Sequence, residues 1–149
     1  MNRLPTILLV DDSPDDVALI RRALRRGGVE AQVETAADGL EAWQYLQACP
    51  AERLPSFVLL DLKMPRMNGT ELLARVRAME PTRLVPIIVF TSSNEETDVR
   101  ESLERGANSF VQKPVDSKLF SSTVHALTHY WLAVNQRAAA RPAEPPPAS

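Results

Sequence analysis

The sequence predicts an α/β domain built on a doubly wound parallel sheet of five strands. Two observations carry that expectation. Short aliphatic runs recur along the chain at Ile7 to Val10, Phe57 to Leu60 and Ile87 to Phe90, unbroken by polar residues as in strands buried on both faces. The segments between the strands repeat their apolar residues at helical spacing, and parallel strands need such crossovers, which cover both faces of a sheet.

The elements follow in order. The first strand runs into Asp11-Asp12, and Ser13 then opens a helix, with Pro14 at its first position and Asp15 and Asp16 in its first turn; the two acids read as helix-start chemistry. Val17, Ile20 and Leu24 form its apolar stripe, and Gly27-Gly28 stops it. Gln32 to Thr35 reads as a short second strand. Asp38, beside Gly39, caps a helix through Leu40, Trp43 and Leu46 that ends near Pro50. After the third strand, Gly69 to Met79 turns Leu72, Leu73 and Val76 inward, and Pro81 ends the helix. The fourth strand leads to a helix from Asn94 to Arg105, closed by Gly106, and Ser109 to Gln112 is a weaker fifth strand at an edge. A last helix from Asp116 carries Leu119, Phe120, Val124, Leu127, Trp131 and Val134. Trp131 and Leu132 lie about 100° apart around such a helix, so one is expected in the core and the other at an interface. The domain is expected to occupy residues 1–137. Residues 138–149, rich in Ala, Pro and Glu, offer nothing apolar to bury and are expected to form a disordered tail.

Composition narrows the function classes. Apolar residues at 44% and charged residues at 24% are an ordinary globular mixture. Seventeen basic against nineteen acidic side chains leave a charge of −2, with no general attraction to nucleic acid. The single cysteine, Cys49, can form no internal disulfide and no zinc site. The apolar runs fall far short of the ~20 residues of a membrane span, and the N-terminus has no signal core. A cytoplasmic protein is the expectation.

In parallel sheets of this kind ligands sit beyond the carboxyl ends of the strands. Asp11 and Asp12 follow the first strand, Asp61 the third, Thr91 the fourth and Lys113 the fifth. Three gathered carboxylates repel one another unless a cation joins them, and a hard divalent ion such as Mg²⁺ suits oxygen ligands. Lys113 adds a point charge for a carboxylate or phosphoryl oxygen, and Thr91 adds a hydroxyl donor. This set suits transfer of a phosphoryl group onto a carboxylate, where positioning and electrostatics supply most of the catalysis. Asp61, alone after the most central-looking strand, is the candidate nucleophile.

These residues carry a resemblance. Ile7-Leu-Leu-Val-Asp-Asp-Ser-Pro-Asp-Asp, Leu60-Asp-Leu-Lys-Met-Pro-Arg-Met-Asn-Gly69, Val89-Phe-Thr-Ser-Ser93 and Gly106-Ala-Asn-Ser-Phe-Val-Gln-Lys-Pro114 stand in the order found in response-regulator receiver domains of two-component signalling. The chain resembles that family over roughly residues 5–135. The resemblance implies a flavodoxin-like fold with strand order 2-1-3-4-5, phosphorylated by a sensor histidine kinase. It also implies a phosphoacceptor that assists its own phosphotransfer and dephosphorylation rather than a turnover enzyme. By position, Asp61 would accept the phosphoryl group. Asp12, Asp61 and the carbonyl of Lys63 would hold Mg²⁺, with Asp11 acting partly through water. Thr91 and Phe110, where tyrosine also occurs, would form a switch pair, and Lys113 would contact the phosphoryl group ahead of a Lys113-Pro114 bond that is commonly cis. Thr91-Ser-Ser, Lys113-Pro-Val-Asp with Phe120, and Tyr130-Trp-Leu with Asn135 further resemble single-domain regulators serving phytochrome-type kinases. That implies a homodimer through the C-terminal helix region.

Other readings fit less well. An aspartyl-phosphate phosphatase would want a second aspartate where Lys63 stands. A flavin carrier would want a hydroxyl- and glycine-rich loop where Asp-Asp-Ser-Pro-Asp-Asp stands. The residues past the last helix are too few for a DNA-binding helix-turn-helix. The arginines at 21, 22, 25 and 26 read as a solvated helix face, or, through the resemblance, as part of a kinase-docking helix. His125 and His129, four apart, lack a third metal ligand and read as surface or interface residues.

Overall fold

The computed structural model describes residues 3–136; the expected tail at 138–149 lies outside them. Five strands form one parallel sheet: β1 (Thr6–Val10), β2 (Gln32–Ala36), β3 (Phe57–Leu60), β4 (Ile87–Thr91) and β5 (Ser109–Gln112), in the order β2-β1-β3-β4-β5. They alternate with α1 (Pro14–Arg26), α2 (Gly39–Ala48), α3 (Gly69–Ala78), α4 (Glu96–Glu104) and α5 (Ser117–His129). The expected architecture, doubly wound and flavodoxin-like with order 2-1-3-4-5, is the one observed.

The aliphatic runs are central because their side chains are buried on both faces. Leu8, Val10, Val58, Leu60 and Val89 point to one side and pack with Leu46 of α2 and Leu72, Leu73 and Val76 of α3. Ile7, Leu9, Phe57, Leu59 and Phe90 point to the other and pack with Ile20 and Leu24 of α1 and Phe120 and Val124 of α5. Phe90 and Phe120 meet there as a tilted pair, ring centroids 5.3 Å apart.

Register places the chemistry. Val10 pairs with Ala36 on one side and with Leu60 on the other, Leu60 pairs with Val89, and Thr91 pairs with Gln112. Asp11 and Asp61 are therefore the first residues past two adjacent strand ends, with Thr91 and Lys113 at the same rim. Caps open the helices as expected: Ser13 accepts from the Asp16 N–H and Asp38 from the Glu41 N–H.

Several boundaries depart from expectation. α3 stops at Ala78, and Pro81 lies in a separate single turn, Glu80–Thr82, anchored by the Thr82 hydroxyl on the Val76 carbonyl at 2.7 Å. α4 starts at Glu96 rather than Asn94, because the Ser93 hydroxyl bonds the Asp98 carboxylate and accepts the Glu95 N–H, holding Asn94 and Glu95 outside the helix. After His129 the last helix widens into a π turn, Tyr130–Val134, closed by the Asn135 N–H on the Tyr130 carbonyl at 2.7 Å. A wide turn sets successive residues closer in angle. Trp131 and Leu132 accordingly both lean, partly buried, on the core shared by α1 and α5, correcting the expectation that they face apart.

Two further readings are corrected. His125 is partly buried against α1 rather than free on the surface: its Nε2 lies 2.6 Å from the Ala23 carbonyl, over Gly27, where a Cβ would stand 2.8 Å from that nitrogen. No peptide bond among the described residues is cis, so the Lys113-Pro114 bond is trans. No helix among the described residues is long and apolar enough to cross a membrane.

Candidate functional site

At the carboxyl rim, carboxylate oxygens of Asp11, Asp12 and Asp61 lie within 4.8 Å of one another, the cluster of metal-ligating type found among the described residues. Asp11 is buried and Asp12 exposed, so the pocket opens to solvent on the Asp12 side. Lys113 is buried too, and its Nζ lies 2.7 Å from Asp11 Oδ2, 2.7 Å from Asp16 Oδ2 and 3.6 Å from Asp61 Oδ2. Burial pushes the Asp11 carboxyl above its ordinary value, against the hydrogen bond from Lys113 that pulls it down. Burial works against the Lys113 charge, but its bonds to Asp11 and Asp16 outweigh that and raise its pKa.

The two oxygens of Asp61 differ. Oδ1 accepts the Leu62 N–H at 2.8 Å and the Thr91 hydroxyl at 2.7 Å, whereas Oδ2 faces Lys113 at 3.6 Å, beyond hydrogen-bond range. The chain behind Asp61 is fixed by Gly69, whose N–H bonds the Leu62 carbonyl and whose absent Cβ would meet the Asp61 carbonyl at 2.7 Å. The β3–α3 loop is also tied sideways. Arg66, in the left-handed region at φ 65°, pairs with Asp38 at 2.7 Å, and the Met67 carbonyl accepts the Gly39 N–H at 2.9 Å. Lys63 lies in this loop and lines, with Asp12, Met64, Thr70, Asp98 and Glu101, an open cleft of about 590 Å³.

The donor set fits a hard divalent cation. Asp11, Asp16 and Asp61 face the Lys113 ammonium and Asp12 adds a further carboxylate beside Asp11 and Asp61, so negative charge is in excess. Oxygen ligands at an open, water-accessible edge suit Mg²⁺ or an ion like it.

A family profile described as response regulator receiver domain matches residues 7–125. The chain belongs to the response-regulator receiver domain family. Receiver domains are phosphoacceptors rather than turnover enzymes, and the acidic pocket with its lysine is the arrangement typical of them. Among similar receivers, the probable methanogenesis regulatory protein FilR2 of Methanothrix harundinacea is 35% identical over 132 residues, covering 87% of this chain and 85% of that one. Response regulator Rcp1 of Synechocystis is 31% identical over 129 residues, covering 85% and 88%. The Mn²⁺-bound form of Rcp1 superposes with a TM-score of 0.82 at 30% identity over 91% of this chain and 99% of that one. The phosphorylated cyanobacterial phytochrome response regulator RcpA does so with a TM-score of 0.84 at 29% identity, covering 91% and 99%.

Against the sequence reading of this receiver, Asp11, Asp12, Asp61, Thr91 and Lys113 are brought together. Lys63 stands beside them, and Phe110 is set back. Phe110 pairs with Val89 on the edge strand and shares the Thr91 face of the sheet, partly buried against the α2–α3 core. Asp16 was missed. It reads as helix-start chemistry, yet its carboxylate crosses to Lys113. A Ser-x-x-acid pattern signals a cap, and nothing in it tells that Asp11 already holds the Ser13 N–H.

Proposed function

We propose that this chain is a single-domain response regulator of the cytoplasm that accepts a phosphoryl group on Asp61 from a histidine kinase of phytochrome type, with Mg²⁺. The observation that carries this reading is the asymmetry of Asp61: Oδ1 is held by Thr91 and Leu62, and Oδ2 is left to react beside Lys113. Asp12, Asp61 and the Lys63 carbonyl would hold the cation, with Asp11 acting partly through water. When bound, the ion neutralises charge on the phosphoryl oxygens. Lys113 supplies the fixed positive charge, and Thr91 and Phe110 form the switch pair. The hydroxyl of Thr91 leaves Asp61 Oδ1 for the phosphoryl group, and Phe110 moves inward over the space it vacates, remodelling the face of α4, β5 and α5. The signal passes on by protein contacts, in a homodimer formed through the C-terminal helix region. The likeness to the cyanobacterial phytochrome response regulator RcpA supports the phytochrome pairing.

The test is acid-labile labelling by acetyl phosphate with Mg²⁺. Asp61→Asn is expected to abolish the label and Cys49→Ser to retain it; label persisting in Asp61→Asn moves the acceptor elsewhere. A phosphotransfer screen against histidine kinases, photoreceptor kinases first, tests the pairing.

A further inference from the structure

Lys113 is held on the α1 side of the pocket. Of the three protons on its ammonium, two reach Asp11 Oδ2 and Asp16 Oδ2 at 2.7 Å each, while Asp61 Oδ2, at 3.6 Å, receives only an unbonded charge. Asp16 is free for this because of how α1 begins. An acid at the third helical position after a serine cap ordinarily reaches back to the cap's own N–H. Here Asp11 Oδ1 already accepts that N–H at 2.9 Å, and Ser13 Oγ accepts the Asp16 N–H at 3.2 Å. The Asp16 carboxylate therefore turns across the pocket to the residue after β5. Its side chain is 29% exposed against 5% for Asp11, so it is the outer and weaker of the two holds on the ammonium.

We infer that Asp16 is a positioning residue for Lys113, a latch that keeps the ammonium off Asp61 until a phosphoryl group competes for it. The inference rests on Asp61 being the phosphoacceptor. In that step Asp61 Oδ2 bonds to phosphorus while the bond from phosphorus to the donor's leaving atom breaks, an oxygen of acetyl phosphate or a ring nitrogen of a phosphohistidine, and that atom keeps the electron pair. Charge spreads over the equatorial oxygens, and Lys113, whose Nζ stands 3.6 Å from Asp61 Oδ2, is the cation placed to turn toward it. Turning the ammonium toward those oxygens loosens the outer of its two carboxylate bonds, the one to Asp16 at the solvent edge. The negative charge of Asp16 also opposes an incoming anionic donor. Both effects slow the step, so removing that charge speeds it.

The experiment measures initial rates of acid-labile labelling of the full chain by acetyl phosphate at saturating Mg²⁺, comparing wild type with Asp16→Asn, Asp16→Glu and Asp15→Asn. Asp16→Asn is expected to label about threefold faster, the scale of a partly exposed ion pair. Asp16→Glu restores the charge and is expected to return the rate toward wild type. Asp15, exposed in the same turn, is expected to leave the rate unchanged when neutralised. A structural role for Asp16 would produce no acceleration and no rescue by glutamate. An Asp16→Asn rate at or below wild type overturns the inference, as does an Asp15→Asn rate equal to that of Asp16→Asn. Absence of label on the wild type, or label on Asp61→Asn, instead overturns the phosphoacceptor reading and takes this inference with it.

Discussion

Thr91 Oγ1 donates to Asp61 Oδ1 across 2.7 Å, joining the last residue of one central strand to the first residue past its neighbour. Under the proposed function, phosphorylation of Asp61 would give that hydroxyl a stronger acceptor, because charged phosphoryl oxygens outcompete a carboxylate already shared with an amide. Thr91→Ala is expected to keep labelling within about threefold of wild type while losing the response. The measurement is dimer fraction by light scattering with and without acetyl phosphate and Mg²⁺. A phosphorylation-dependent change preserved in Thr91→Ala would remove Thr91 from the switch.

Mg²⁺ is expected to stabilise the folded chain, since the acidic pocket exists only when β1 and β3 are paired. At a hundredfold excess over the dissociation constant, selective binding contributes about 2.7 kcal/mol, a Tm rise of roughly 5 to 10 °C. Asp12→Asn should shrink the rise by removing a ligand from the open side. Scanning calorimetry with and without millimolar Mg²⁺ checks this, and an unmoved Tm contradicts the cation site.

The Arg66 guanidinium, and then the Glu41 N–H, hold the Asp38 carboxyl below its ordinary 3.8. A depressed carboxyl stabilises the fold above the unfolded value and loses that contribution as pH falls through the folded one. Asp38→Ala, which also removes the α2 cap, is expected to cost about 1 kcal/mol at neutral pH. Its deficit against wild type should narrow as pH falls below 3.8. Urea midpoints from pH 7 down to pH 3 test it; a deficit that widens in acid would be the wrong sign.

Arg77 straps three segments together. Its Nε bonds the Gly106 carbonyl at 2.9 Å, Nη1 the Arg83 and Val85 carbonyls at 3.0 and 2.8 Å, and Nη2 the Asn108 side chain at 2.9 Å. Burial pulls its pKa down, and no carboxylate among these contacts offsets it. Arg77→Leu keeps the bulk but leaves these acceptors without their donor, and roughly 3 kcal/mol of stability should be lost. Chemical denaturation checks the figure, and a loss below about 1 kcal/mol would mean water replaces the guanidinium freely.

The sheet was legible because its signal is local: Ile7 to Val10, Phe57 to Leu60 and Ile87 to Phe90 are apolar throughout, as strands buried on both faces must be. The pocket was legible because strand ends share a rim, so Asp11, Asp61, Thr91 and Lys113 could be gathered by counting. Asp16 escaped because its partner is 97 residues away and its role depends on which donor reaches Ser13 first. Arg77 and His125 escaped because most of their acceptors are distant backbone carbonyls that no side-chain pattern announces. The π turn at Tyr130 hides in a run whose apolar spacing still reads as ordinary helix.

Alternate strand residues feed two cores that share no buried side chain, one under α2 and α3, the other under α1 and α5. A hole opened by trimming Leu73 therefore finds no neighbour to fill it among the side chains around Ile20. Damage to the two halves should accumulate by simple addition, so a lineage can redesign α1 and α5 without retuning α2 and α3.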